Sequence, residues 1–295
     1  MPSGKDTSEL SQRAFQGLQV TATPIGNLGD LSPRARLALE NADIIACEDT
    51  RHTGMLLARY GITSKLVAYH DHSGEQVVRR LVDAMQKGKT VTLVSDAGTP
   101  LISDPGYKLV AACRAVGVPV TSIPGPSAVL AGLAASGLPT DRFYFAGFLP
   151  NSSKKRMDLL TSLLPITSSL VFYESPKRIA ATLADMVTLY PDRQAVVARE
   201  LTKLHEEFYW GTVAKLHDEL SQQTLKGELV LMLGPLDQRE QLTDDDIATM
   251  LTRALDDGMS RRDAVAMVAN NTGHAKKDVY GIALSLKIAE RDEDG

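Results

Sequence analysis

Cysteine is scarce: Cys47 and Cys113 are the only two in 295 residues, and no CxxC pair occurs. That excludes a disulfide scaffold and a thiolate zinc site and fits a reducing, cytoplasmic setting. An excess of charge is missing as well. Thirty-two Lys and Arg face 36 Asp and Glu, a net charge of −4, so the chain does not coat nucleic acid by bulk charge. Long apolar runs are also absent. The longest uncharged stretch, 115–140, has the length of a membrane span but is cut by Pro119, Pro124, Pro126 and Pro139, so it reads as core and loops. Residues 1–16 are polar, carry no secretory pattern and are expected to be disordered.

What is present is a repeating order: a short apolar run, then Gly, Pro or Asp, then a helical pattern. The runs at 18–23, 43–47, 65–69, 90–95 and 118–123 alternate with helical stretches such as 33–41, 74–87 and 104–116. Ser32 is placed to cap the first helix, with Pro33 at its first position. Near-continuous apolar strands alternating with helices predict a parallel sheet covered on both faces. A second series lies at 143–148, 169–174, 194–200, 206–210 and 228–233. The third and fourth of these are too close for a crossover helix, which predicts a mixed sheet with a hairpin. After Gly234-Pro235 the pattern becomes helical only, at 243–257, 260–270 and 274–290, with a capping box from Ser260 and Asp263. The organisation expected is an α/β domain over 17–125, a second over 126–236 and a helical extension over 237–295.

Three strands end in loops dense in glycine and proline. They are Thr23-Pro24-Ile25-Gly26-Asn27-Leu28-Gly29-Asp30, Ser95–Gly106 (SDAGTPLISDPG) and Pro124-Gly125-Pro126-Ser127-Ala128. Such loops bring backbone N–H and C=O groups close to a ligand, although a connecting turn also uses these residues. The first is not GxGxxG, no P-loop occurs, and Val129 spoils a GxSxG elbow, so ATP use and serine hydrolysis are disfavoured. Glu48-Asp49-Thr50-Arg51-His52 packs charge where the second strand stops. It suits acid–base work or a solvated helix start equally well. His70 and His72 lack a third ligand at zinc spacing, and no metal site is expected.

In order, TPIGNL, DIIACEDTRHT, VSDAGTPLISDPG, PGPSA, FAGFLP, FYESPKRI, ARELTKLHEE and KGELVL span residues 23–231. Together they resemble the ribosomal RNA small-subunit methyltransferase I family, within the tetrapyrrole (corrin/porphyrin) methylase fold. Lys177 departs from that family's ESPHR pattern. The resemblance implies a two-domain fold with a helix-turn-helix-like tail, and S-adenosylmethionine as cofactor. It also implies 2′-O-methylation of a cytidine in the decoding region of 16S rRNA, and a homodimer. By position it implies that Gly98, Thr99, Ile102, Ser127 and Ala128 meet the methionine part of the cofactor. Tyr173, Leu201, Gly227 and Glu228 meet the adenosine part, with Pro24 and Gly26 at the floor.

A ribose hydroxyl needs its proton drawn away, for which Asp30, Glu48, Asp49 and His52 are candidates, with Arg51 for an RNA phosphate. Lys154-Lys155-Arg156, Arg261-Arg262 and Lys276-Lys277 could supply further phosphate contacts. A tetrapyrrole or protein acceptor, or an RNA-binding protein without catalysis, stands as the alternative, because a fold alone does not fix the acceptor.

Overall fold

The computed structural model describes residues 15–70, 73–236, 244–272 and 274–292. The expected disordered stretch 1–16 falls outside these except for Phe15 and Gln16, as do Asp71 and His72. Five strands form a parallel sheet in the order β3-β2-β4-β1-β5: β1 Gly17–Thr21, β2 Ile44–Cys47, β3 Leu66–Ala68, β4 Thr90–Leu93 and β5 Val120–Ile123. Every residue of β4 is buried, as a strand covered on both faces requires. The helix Pro33–Glu40 begins as its sequence dictates, with the Ser32 hydroxyl accepting from Ala35 N–H at 3.1 Å. Helix Glu75–Gln86 buries Leu81, Val82 and Met85, and these residues share one apolar cluster with Leu18, Val91 and Leu93 of the sheet.

The second sheet runs β6-β7-β10-β8-β9, with β6 Phe143–Phe148, β7 Ser169–Glu174, β8 Gln194–Arg199, β9 Glu207–Thr212 and β10 Leu229–Leu233. β6 and β7 are parallel and the other pairs antiparallel, β8 and β9 being the hairpin their spacing demands. One face packs Phe172, Leu183, Leu216 and Leu231 into a large core. The other receives Val129 and Leu133 of helix Ala128–Ser136 against Val171, Val196, Val230 and Met232. Ile25, from the loop after β1, belongs to this second cluster. The first sheet is thereby joined to the second through apolar contact.

Three helices follow, Asp244–Asp256, Arg261–Thr272 and Lys276–Asp292. They pack Leu251, Ala264, Val268 and Val279 into a cluster of their own. The Ser260 hydroxyl accepts from Asp263 N–H at 3.2 Å and donates to its carboxylate at 2.7 Å, so the capping pair forms. No described helix is long and apolar enough to cross a membrane.

Arg156, expected beside Lys154 and Lys155 as a phosphate contact, is only 4% exposed. Its guanidinium pairs with Asp185 at 2.6 Å and donates to the Pro150 carbonyl, so it is structural. Arg156→Ala leaves the Asp185 carboxylate without its cation and is expected to cost about 3 kcal/mol. The urea midpoint checks this, with exposed Lys154→Ala expected to stay within about 0.5 kcal/mol of the parent.

Candidate active site

β1 lies between β4 and β5, so the loops at their carboxyl ends are neighbours, where open α/β sheets hold ligands. Thr23 and Gly98 exchange backbone hydrogen bonds of 2.9 and 3.1 Å. The Thr99 hydroxyl donates to the Pro126 carbonyl at 3.0 Å. Gly98 takes φ 79°, and a Cβ there would press on Ile25 at 3.3 Å. These contacts close a cavity of about 410 Å³ between the two sheets, a size suited to a small organic ligand.

Two tripeptides shape its wall. Leu101 and Ser103 (φ 74° and 64°) flank Ile102, and Glu200 and Thr202 (φ 50° and 67°) flank Leu201. Ile102 and Leu201, the middle residues, both line the cavity. Left-handed backbone at residues bearing side chains is strained and concentrates at functional sites.

Tyr173 and Phe148, rings tilted at 54° with centroids 5.2 Å apart, supply an aromatic end with Leu201 and Val230. Glu48, Asp96, Asp104, Glu174 and Glu228 also line the cavity, and among the described residues no Lys, Arg or His does. Burial, with Asp104 and Glu228 nearby, pushes the Tyr173 phenol up to about 12. Glu174 is offset by Arg178 and Glu228 by Lys203. The resulting wall favours a cation beside an apolar, flat group.

Of the residues expected to meet a cofactor, Gly98, Thr99, Ile102, Ser127, Ala128, Tyr173, Leu201, Gly227 and Glu228 line this one cavity. Pro24 and Gly26 do not. Ile25 between them faces it, while a Cβ on Gly26 would lie 2.4 Å from Lys203 Cγ. Of the acid–base candidates, Glu48 alone is in the wall. Asp30 sits in the short helix Leu28–Asp30 outside it. The Asp49 carboxylate caps helix Thr50–Arg59, accepting from Arg51 N–H at 2.8 Å and from its guanidinium at 2.8 Å. That guanidinium holds the Asp49 carboxyl well below the usual carboxylate range. Arg51 pairs with Asp49 on the exposed surface, and both Arg51 and His52 lie outside the wall. Sequence reasoning missed Asp96, Asp104 and Phe148 as wall residues. The first two stand within the loop already singled out.

The family model of Tetrapyrrole (Corrin/Porphyrin) Methylases matches residues 18–217, and that of the RsmI C-terminal HTH domain matches residues 241–287. A "Ribosomal RNA small subunit methyltransferase I" from Mesorhizobium japonicum is 44% identical over 98% of this chain and 98% of its own length. The chain belongs to this methyltransferase family. Among solved structures, the methyltransferase CobJ aligns with TM-score 0.57 at 19% identity over 75% of this chain and 95% of its own. A uroporphyrin-III C-methyl transferase from Thermus thermophilus, complexed with S-adenosyl homocysteine, aligns with TM-score 0.50 at 20% identity over 74% and 96%. Both have the two-sheet fold described above.

Lys203 ties this methyltransferase's loops together. Its stem crosses Gly26, and its ammonium meets Glu200 at 2.8 Å and Glu228 at 2.9 Å. The ammonium draws the Glu200 carboxyl below its ordinary value. Burial opposes the charge on Lys203, but the two carboxylates raise it. Lys203→Met is expected to lower stability by roughly 1–2 kcal/mol at neutral pH. The depressed Glu200 contribution is present above the ordinary glutamate range and lost as pH falls through its folded value. The raised Lys203 contribution is present below the ordinary lysine range and lost as pH climbs through its folded value. Denaturation across pH should therefore show the gap between parent and variant closing at both extremes.

Proposed function

We propose that the protein transfers a methyl group from S-adenosylmethionine to the ribose 2′-hydroxyl of a cytidine in the decoding region of 16S rRNA, as a cytoplasmic homodimer. The observation that carries the reading is the cavity itself: loop backbone and an aromatic end on one side, carboxylates without a basic side chain on the other. That donor set fits a ligand with an adenine ring, an ammonium and a sulfonium. Gly98, Thr99, Ile102, Ser127 and Ala128 would hold its amino-acid part, and Tyr173, Leu201, Gly227 and Glu228 its nucleoside, with Glu228 suited to a ribose diol. The relative in Thermus thermophilus that carries S-adenosyl homocysteine supports the same ligand class. The helix-turn-helix match at 241–287 and the relatives' names support RNA over a tetrapyrrole or a protein acceptor. Phe143 and Tyr144, exposed on edge strand β6, offer a second copy apolar contacts on either side of that edge.

Bound in this cavity, S-adenosylmethionine supplies an electrophilic methyl group, and no metal is needed. The loops orient the acceptor for in-line approach, where positioning supplies most of the rate. Glu48, at the tip of β2 and in the wall, draws the proton from the 2′-hydroxyl. Asp49 lies outside the wall, its carboxylate held by Arg51. It positions the helix start instead, and its N–H donates to Asp96 at 3.4 Å.

Mass spectrometry of small-subunit rRNA from a deletion strain tests the reading: one lost cytidine ribose methyl is expected, and an unchanged pattern overturns it. Glu48→Gln is expected to lower kcat by roughly 10²-fold with S-adenosylmethionine saturating. An unaltered kcat would move the proton acceptor elsewhere.

A further inference from the structure

A second concavity lies at the opposite end of the first sheet. It is larger and more open than the cavity, about 1040 Å³. Its walls come from three places. Gln76, Arg79, Arg80, Asp83, Ala84 and Lys87 recur at helical spacing along one face of helix Glu75–Gln86 and its cap. Lys65–Ala68 brings the edge strand β3. Asp43, Ile44 and Lys89 stand at the amino ends of β2 and β4.

Five of the lining residues are cationic and two are anionic, in a chain whose net charge is −4. Asp43 is already taken: it accepts from Lys89 Nζ at 2.7 Å and from Thr90 N–H at 2.8 Å, which holds its carboxyl below the ordinary value. Arg79 pairs with Glu75 at 2.9 Å on the exposed surface, a contact that phosphate could displace at little cost. Lys65, Arg80 and Lys87 are exposed and make no ion pair among the described residues. Lys87 at the helix end also complements the helix dipole, but that accounts for one cation and not for Arg80 on the same face or Lys65 beside β3.

We propose that this groove binds the phosphate backbone of the RNA substrate away from the methylated nucleotide, an inference that rests on the function proposed above. Charge selects the occupant. A concave row of unpaired ammonium and guanidinium groups matches a polyanion with closely spaced phosphates, and Arg80 can grip one bidentately. Geometry supports the match. β2 and β4 each run from the groove, at Ile44 and Lys89, to the cavity, at Glu48 and Asp96. Four residues of strand span only about 13 Å, so one folded RNA can reach both ends. The sequence hides the groove because its cations are spread from position 65 to position 89 in no run.

The test compares the full-length protein with Arg80→Glu/Lys87→Glu, using a 16S rRNA decoding-region fragment over a salt series. The double variant is expected to bind at least tenfold more weakly at low salt. Its plot of log affinity against log salt should be shallower by about 2, roughly one unit per lost phosphate contact. S-adenosylmethionine affinity in calorimetry and thermal midpoint should match the parent. Unchanged RNA affinity and slope, with the parent methylating the fragment, overturns the groove alone and leaves the methyltransferase reading standing. A parent that neither binds nor methylates the RNA overturns both. Equal weakening of RNA and cofactor binding also overturns the proposal, because the substitutions would then act through the fold.

Discussion

Leu101-Ile102-Ser103 and Glu200-Leu201-Thr202 come from different sheets, yet each sets a left-handed residue on either side of one that meets the cavity. Left-handed backbone at residues with side chains costs about 1 kcal/mol or more apiece. The loops keep it because other contacts fix every side of them. Glu200 N–H donates to the Glu228 carbonyl at 3.0 Å, and Thr202 N–H to the Glu206 carboxylate at 2.6 Å. The Thr202 hydroxyl accepts from Asn27 N–H at 3.2 Å. Leu101 fits because Gly106 leaves the space: a Cβ there would stand 2.7 Å from Leu101 Cδ1. At Gly227 a Cβ would fall 2.2 Å from Glu200 Oε1, so glycine is what lets that carboxylate reach the Glu228 N–H. Cavity shape thus resides in backbone held from behind, and a ligand finds it already formed.

Once shape is assigned to backbone, the side chains of the wall are left to set charge. Three carboxylates, Glu48, Asp96 and Asp104, line the cavity with no Lys, Arg or His among the described residues of the wall. In a site partly withdrawn from water their field on a bound cation is stronger than at the surface. Under the proposed function they favour the charged methyl donor over the neutral thioether left after transfer, so one electrostatic feature serves both capture and release. A lysine in that wall would oppose both. Lys203 is kept on the outer side, where it neutralises Glu200 and Glu228.

The parts legible in the sequence are those whose signal is local. Ser32-Pro33 and Ser260-Asp263 announce helix starts because capping acts over three residues. The β8–β9 hairpin follows from spacing alone, and the glycine-rich loops announce their backbone geometry in composition. What failed to show depends on partners distant in sequence or on a short-range competition. The charges of Glu48-Asp49-Thr50-Arg51 suit acid–base work and a helix start alike, and the fold divides them: Asp49 caps the helix and pairs with Arg51, while Glu48 lines the wall. Lys154-Lys155-Arg156 reads as one basic patch until Asp185, on another helix, buries its third member. Pro24 and Gly26 flank Ile25, the residue of this loop that lines the cavity, and loop composition does not say which side chain turns inward.

The same distinction governs how a chain of net negative charge can hold RNA. Attraction falls off over about 10 Å at ordinary salt, so the total charge matters less than which groups share a surface. On the first sheet the strand direction separates them. Carboxylates gather at the carboxyl ends of β2 and β4, where a sulfonium would sit, and cations gather at the amino ends. Four strand residues, about 13 Å, lie between, enough distance for screening to weaken mutual cancellation. Mixing the two sets at one end would have paired them, as Lys89 and Asp43 are already paired, and left neither a cation-binding cavity nor an anion-binding groove. A short parallel strand is therefore an insulator as well as a scaffold, and its length limits how far apart the two ligand chemistries can be kept while one RNA still reaches both.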